Sequence, residues 1–154
     1  MADIIRTSKK FRVFISYTRR SQIDKKLAKF IFDFLKKRGH EPFIDISMRV
    51  GTKWLDEIDK QLRESDFLIV LVSKASANSE MVQAEVRRAF EYRRIQGNPQ
   101  ALPIRIQYES ILPYSIDAFL EHIQHMFWQS EADNHRIAME LLDVLEENIN
   151  PTSI

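Results

Sequence analysis

The chain has 154 residues, of which 44% are hydrophobic and 29% are charged, a composition typical of one folded domain and too apolar for a disordered chain. Lysine and arginine together number 23 against 22 acidic residues, and this balance argues against duplex nucleic acid or an anionic membrane as a partner. The sequence has no cysteine and only three glycines, which excludes disulfides, thiolate metal sites, cysteine nucleophiles and glycine-rich phosphate loops.

The elements predicted in the first half of the chain begin with a largely apolar strand at residues 11–17. Asp24 is the predicted N-cap of a first amphipathic helix, and Gly39 is its predicted left-handed stop. A second strand at residues 41–46 precedes a loop. Apolar residues at helical spacing from Trp54 onward then predict a second helix.

The second half of the chain contains the clearest strand, at residues 66–72, because an apolar run with β-branched residues is typical of a strand covered on both faces. A third helix is predicted between a cap at Ser79 and a stop at Gly97. A fourth strand is predicted at residues 101–106, and an irregular stretch follows at residues 107–120. A fifth strand is predicted at residues 122–128, before a final helix that contains Ile137, Leu141, Leu145 and Ile149.

Five strands that alternate with helices predict an α/β fold, a flavodoxin-like three-layer sandwich with a parallel sheet in the order 2-1-3-4-5 and helices on both faces. In such sheets, ligands bind beyond the carboxyl ends of the strands, near the switch point between strands 1 and 3. The start of the third helix is predicted to meet a set of strand-end residues there. This set is Ser16, Tyr17, Thr18, Arg19, Asp45 and Ser73.

Two classes of protein share this strand order and differ in the chemistry that they need at the edge. A phosphorelay receiver domain needs acidic residues at the ends of strands 1 and 3, which this chain lacks, so that class is excluded. A flavodoxin stays open as a weaker alternative, because Ser16, Thr18 and Ser21 match the hydroxyl spacing of a flavin-phosphate loop. Two adjacent arginines in that loop are unusual for a flavodoxin.

A series of short motifs, in order along the chain, resembles the Toll/interleukin receptor (TIR) domain family. The motifs are Phe14–Tyr17, Phe43–Asp45 with the following loop that contains Gly51 and Trp54, Ser65–Ser73, Ser79–Glu85, Leu102–Ile104 and the late Trp128. Together they extend over residues 11–148, which is nearly the whole chain. Each motif has low specificity alone, whereas their common order makes the resemblance strong.

The resemblance to bacterial-type members of this family implies an NAD glycohydrolase that releases nicotinamide and either ADP-ribose or a cyclised form. The family's catalytic glutamate on the third helix corresponds by position to Glu85. NAD is then the substrate, so no separate cofactor is expected. A metal is not expected either, because His122 and His125 are predicted on opposite faces of a strand and could not share a metal ion. The predicted substrate-binding residues are Ser16, Tyr17, Arg19, Phe43, Asp45, Lys53, Ser79 and Met81.

An ionised carboxylate at Glu85 can stabilise an oxocarbenium-like transition state or bind the ribose hydroxyls. Nicotinamide leaves as a neutral molecule, so a dedicated general acid is not obligatory. The alternative is a solvated glutamate that pairs with Arg87 or Arg88. Met81 stands where many active members of the family have tryptophan, a departure that bears on turnover rate more than on the identity of the substrate.

The resemblance also implies homotypic TIR–TIR self-association, in which the loop after the second strand of one copy covers the substrate of its neighbour. Here that loop is residues 46–53, with Arg49 and Gly51 as its assembly residues. Such an enzyme is expected to act in immune or antiphage signalling. The alternative is a non-catalytic interaction module that serves as an adaptor or scaffold.

We expect one domain at residues 11–149, with an N-terminal extension at residues 1–10 and a tail at residues 150–154 that begins a linker to a further domain. The longest apolar runs have about six residues, too few to span a bilayer, and the N-terminus is polar. A cytoplasmic location is therefore expected, with neither a membrane nor nucleic acid as a partner.

Overall fold

The structure, a computed structural model, describes residues 9–44 and 52–149. Its centre is a five-stranded parallel sheet in the order β2-β1-β3-β4-β5, which confirms the predicted flavodoxin-like arrangement. The strands are β1 (Arg12–Ser16), β2 (Glu41–Ile44), β3 (Phe67–Val72), β4 (Gln100–Ile106) and β5 (Met126–Trp128). Because β1 lies between β2 and β3, the winding direction reverses there, and a ligand crevice is expected at the carboxyl ends of β1 and β3.

Six α-helices and one short 3₁₀ helix are found among the described residues. They are α1 (Gln22–Lys37), α2 (Thr52–Arg63), α3 (Lys74–Ala77), α4 (Glu80–Gln96), α5 (Tyr114–Leu120) and α6 (Asn134–Ile149), with the 3₁₀ helix at Glu131–Asp133. None of the helices in the described ranges combines the length and the apolar character needed to cross a bilayer.

The sheet separates two apolar cores, because successive side chains of a strand point to opposite faces. On β1, Val13 and Ile15 join the core that includes residues of α1 and α6, whereas Phe14 joins the core that includes residues of α2, α4 and α5. All six residues of β3 are buried, which confirms the prediction of a strand covered on both faces. The helices therefore cover both faces of the sheet, as a three-layer sandwich requires.

The helix ends follow the predicted caps with one exception. Ser79 caps α4 with its side chain, Gly97 ends that helix at a φ of 93°, and Gly39 follows α1 at a φ of 90°. The predicted N-cap of α1 is wrong, because Ser21 is the cap and accepts a 3.2 Å hydrogen bond from the backbone N–H of Asp24. In this Ser-x-x-Asp pattern the serine takes the cap position, and the aspartate lies in the first turn of the helix.

The chain between β4 and α6 differs from the prediction. Residues 107–120 are predicted to be irregular, but the second half of this stretch forms α5, because Ile116 and Leu120, four positions apart, are buried in the core beside α4. The fifth strand predicted at residues 122–128 is too long, since β5 begins only at Met126. The short helix α3, directly after β3, is also absent from the prediction.

Three predictions fall partly or wholly outside the described residues. The predicted second strand extends to residue 46, whereas β2 is described up to Ile44. The predicted N-terminal extension is described only at residues 9 and 10, and the predicted tail at residues 150–154 is outside the described ranges. The boundaries of the domain therefore stay predictions.

Candidate active site

A cavity of about 360 Å³ lies beside the carboxyl end of β1, the edge at which the strand order places a ligand site. One side of the cavity, here called the β1 wall, consists of Ile15 and residues 17–20. The rest of the lining, here called the α4 wall, consists of residues 78–81 and Glu85. The fold thus joins a segment that follows β1 with the beginning of α4.

Glu85 occupies a core position of α4 although it is an acid. The buried residues of this helix are Val82, Glu85, Val86 and Ala89, a spacing that places all four on one face. An apolar side chain is the usual occupant of such a position, since burying a carboxylate is costly unless its oxygens accept hydrogen bonds. The helix therefore directs one carboxylate toward the sheet, where the other members of its buried face are apolar.

The Glu85 carboxylate is bound by the last residue of β1. Its Oε1 accepts a hydrogen bond of 2.6 Å from the Ser16 hydroxyl, and both residues are buried, with 6% and 1% of their surfaces exposed. Because Glu85 is buried, the alternative of a solvated glutamate is wrong. Arg88 donates a 2.8 Å hydrogen bond to Asp59 on α2.

The β1 wall carries two cationic side chains. Arg19 is half-buried, and its Nη1 is buried without a hydrogen-bond partner among the described residues. Arg20 is exposed, and its backbone N–H donates to Oγ1 of the buried Thr18 at 3.3 Å, a contact that stabilises the turn after β1. Guanidinium groups present planar sets of donors that match phosphate oxygens. This wall can therefore receive an anionic group, whereas the α4 wall carries the carboxylates of Glu80 and Glu85.

A buried polar cluster beside the cavity was missed by sequence reasoning. Asp24 is fully buried, and its carboxylate accepts hydrogen bonds from the hydroxyls of Ser21 at 2.9 Å and Ser73 at 2.6 Å. Burial raises the pKa of Asp24, and the hydrogen bonds from the two serines oppose this shift without cancelling it. The sequence signal for half of this cluster was the Ser-x-x-Asp pattern at the start of α1.

The structure brings together most of the predicted site residues that it describes. Those that line the cavity are Tyr17, Thr18, Arg19, Ser79, Met81 and Glu85, and Ser16 contacts Glu85. Asn78 and Glu80 also line the cavity. Glu80 was predicted only as part of the start of the third helix, and Asn78 was not predicted. Ser73 is not among the lining residues, because its hydroxyl is directed at Asp24.

The structure does not place Phe43 at the cavity. Its ring packs on that of Phe14, with 5.2 Å between the ring centroids, at the border of the core beside α2 and α4. The remaining predicted site residues cannot be positioned in the same way. Asp45, Arg49 and Gly51 lie outside the described residues, and Lys53 lies in the first turn of α2 with its side chain outside the described part.

The described residues contain no group of three or more metal-binding side chains. The prediction that His122 and His125 lie on opposite faces of a strand is wrong, because both precede β5. The ring of His125 is held on both sides: Nδ1 accepts from Nε of Arg105 at 3.0 Å, and Nε2 donates to the carbonyl of Leu120 at 2.9 Å. These contacts give His125 a structural role in joining β4 to the end of α5.

Comparison of sequences connects the chain to a known family. A family model described as the TIR domain matches residues 13–142. No curated protein sequence matches the chain significantly.

Solved structures of similar fold include two from proteins with TIR domains and one enzyme. The TIR domains of the activated Roq1 resistosome, which directly recognises the pathogen effector XopQ, are 16% identical with a TM-score of 0.65, and the match covers 88% of this chain and 99% of that one. A metazoan TIR-STING receptor from C. gigas, in complex with 2′,3′-cGAMP, is 17% identical with a TM-score of 0.58, over 84% of this chain and 38% of the receptor. A 2-deoxyribosyltransferase from the psychrotolerant bacterium Bacillus psychrosaccharolyticus is 12% identical with a TM-score of 0.52, over 82% of this chain and 89% of the enzyme. At these identities the likeness is one of fold.

Proposed function

The chain belongs to the TIR domain family, and on that basis we propose that it is an NAD glycohydrolase whose catalytic residue is Glu85. In the proposed reaction, water attacks C1′ of the nicotinamide ribose. Nicotinamide leaves as a neutral molecule with the bonding electron pair, and the water loses a proton to solvent, so the products are nicotinamide and ADP-ribose. Attack by the adenine ring in place of water gives a cyclised product instead.

The observation that carries this proposal is the burial of the Glu85 carboxylate in the α4 wall. An apolar residue would fill this position of the helix at a lower desolvation cost, so a carboxylate here favours a chemical role. Cleavage of the glycosidic bond develops positive charge at C1′ and the ring oxygen. A fixed carboxylate that is already desolvated stabilises such charge without having to reorganise water in the transition state.

The β1 wall supports a substrate that carries phosphate. Arg19 has a buried guanidinium nitrogen without a partner among the described residues, and Arg20 lies beside it. We assign to them the pyrophosphate of NAD, which two guanidinium groups can bind through several charge-assisted hydrogen bonds. The substrate would then lie between cationic groups on one wall and the catalytic carboxylate on the other.

The size of the cavity supports the proposal that self-association completes the site. A volume of about 360 Å³ is at the lower end of the range for pockets that hold small ligands, roughly 300 to 1,000 Å³. It therefore suits part of a dinucleotide better than the whole. In the proposed assembly, residues 46–51 of a neighbouring copy and the start of its α2 cover the remainder of the substrate and exclude water.

The similar structures are consistent with this assignment. The Roq1 TIR domains come from an activated resistosome that recognises a pathogen effector. The 2-deoxyribosyltransferase is described as a catalyst for the synthesis of nucleosides, in which a sugar is joined to a base. From these neighbours we infer that the chain acts in immune signalling and that its fold is suited to chemistry at a sugar–base bond.

The test is direct observation of the reaction. Wild-type protein, clustered by a fused oligomerising tag, is incubated with NAD, and the proton NMR spectrum is followed for loss of NAD and appearance of nicotinamide. We expect the two amounts to be equal, with ADP-ribose or its cyclised form as the second product. NAD that stays intact in a sample shown to be assembled by light scattering would contradict the proposal and favour the adaptor alternative. A protein that is yellow after purification would instead indicate a flavin.

A further inference from the structure

We propose that Asp24 is a positioning residue of the cavity, because its carboxylate connects the β1 wall to the α4 wall through the hydroxyls of the half-buried Ser21 and the buried Ser73. Asp24 is not among the residues that line the cavity, so it does not touch a ligand there. It acts through the segments that it joins. The part of this inference that concerns NAD affinity rests on the proposed function, whereas the part that concerns the walls does not.

The first connection runs to the β1 wall. Ser21 follows Arg20 directly in the chain and donates its hydroxyl proton to Asp24 at 2.9 Å. The same hydroxyl accepts the backbone N–H of Asp24 at 3.2 Å, so it caps α1 and binds the carboxylate at once. The end of the β1 wall is therefore fixed to the first turn of α1 by a reciprocal pair of hydrogen bonds.

The second connection runs to the α4 wall by way of α3. Ser73, the residue after β3, donates to Asp24 at 2.6 Å and accepts the backbone N–H of Ser76 at 3.1 Å. Ser76 binds in turn to the backbone N–H of Ser73 at 2.7 Å and to the carbonyl of Leu71 at 2.7 Å. These bonds form a capping box that locks α3 onto the end of β3. Since α3 ends one residue before Asn78, the orientation of α3 sets the start of the α4 wall.

The chemical identity of the residue fits this role better than a purely structural one. A fully buried carboxylate opposes folding unless its oxygens are satisfied, and a well-packed apolar residue often replaces buried charge at no cost. Hydrogen bonds to an ionised acceptor are, however, shorter and stronger than those between neutral groups. One carboxylate with two oxygens can hold two hydroxyls from separate segments in fixed positions, which no apolar side chain can do.

The test compares two replacements of Asp24 with a matched control on the same helix. Asp24→Ala removes both hydrogen bonds. Asp24→Asn can keep both, because its oxygen accepts from one serine and its amide group donates to the other. The control is Asp33→Ala, which removes an exposed carboxylate of α1 that forms a 3.0 Å ion pair with Lys29. Hydrogen exchange of backbone amides is measured by mass spectrometry, and KM and kcat are measured with NAD.

We expect Asp24→Ala to raise exchange rates about tenfold or more at residues 17–22 and 73–81, while amides of β3 and β4 keep wild-type rates. The KM for NAD should rise about tenfold with a smaller change in kcat, because the substrate must order both walls when it binds. Asp24→Asn should restore most of both properties, and Asp33→Ala should resemble the wild type.

Three results would overturn the proposal. They are wild-type exchange of both walls in Asp24→Ala, exchange that rises evenly across the whole sheet, and an Asp24→Asn variant as impaired as Asp24→Ala. If the wild-type protein leaves NAD intact, the proposed function fails, and the exchange measurements alone then decide the role of Asp24. The two failures are therefore distinguishable.

Discussion

Replacing Ser16 with alanine should destabilise the domain through a single contact. The change removes the hydroxyl that donates to Oε1 of Glu85 at 2.6 Å, at a site where both residues are buried and water has little access. A hydrogen bond to a charged group contributes about 1.5 to 3 kcal/mol to stability. For a domain of this length, each kcal/mol corresponds to roughly 3 °C, so the melting temperature should fall by about 4 to 10 °C.

A double-mutant cycle isolates this contact from other effects of the substitution. Thermal and urea denaturation are measured for wild type, Ser16→Ala, Glu85→Ala and the double variant, with exposed Ser110→Ala as the control. In the Glu85→Ala background the serine has no carboxylate to bind, so the same replacement should cost less than about 0.5 kcal/mol. An equal cost in both backgrounds would refute the reasoning, because the loss would then not arise from the bond to Glu85.

Three further predictions concern stability and assembly. Burial raises the pKa of Asp24 above 3.8. The stability of the wild type should therefore fall relative to that of Asp24→Asn as pH rises from 3.8 through the raised pKa, and parallel urea-denaturation profiles would contradict this. Gly97 has a φ of 93°, and no atom lies within 4 Å of an added Cβ, so an alanine there would meet backbone strain but no steric clash. Gly97→Ala should therefore cost about 1 kcal/mol of stability and lower the melting temperature by about 3 °C. An unchanged melting temperature would disprove the strain. If a neighbouring copy completes the cavity, NAD turnover per molecule should rise with protein concentration. It should fall in Gly51→Pro, because proline restricts the backbone. Turnover per molecule that does not change with concentration, in a protein that stays monomeric, would count against assembly.

The sequence contained enough information for the strand order and for most of the site. The apolar run of β3 and the caps at Ser79 and Gly97 are local patterns, and the alternation of strand and helix leaves few possible topologies. The order of the strands then predicted that the ends of β1 and β3 would meet the start of α4. Ser16 and Glu85 are 69 positions apart in the chain. The strand order predicted Ser16 at this edge of the sheet, whereas the resemblance to the TIR family singled out Glu85.

The errors arose where local patterns are degenerate. Ser21 and Asp24 are both good N-cap residues, and only the tertiary bond from Ser73 to Asp24 distinguishes the cap from the buried acid. The helix α5 has seven residues and β5 has three, which is too short for a periodic pattern to identify either element. Burial of Glu85 could not be derived from the sequence, because a charged residue is not expected at a core position and desolvation depends on what packs against it.

The most direct test of the account compares two glutamates on the same helix. Glu85→Gln keeps the size of the side chain and can still accept from Ser16, but it removes the negative charge that the proposed transition state needs. Glu91→Gln makes the same chemical change at an exposed position of α4. With both variants clustered to the same extent and NAD in excess, the account predicts that Glu85→Gln loses at least about a hundredfold in the rate of nicotinamide release, whereas Glu91→Gln retains the wild-type rate. A Glu85→Gln variant that is folded, assembled and as active as Glu91→Gln would contradict the central claim.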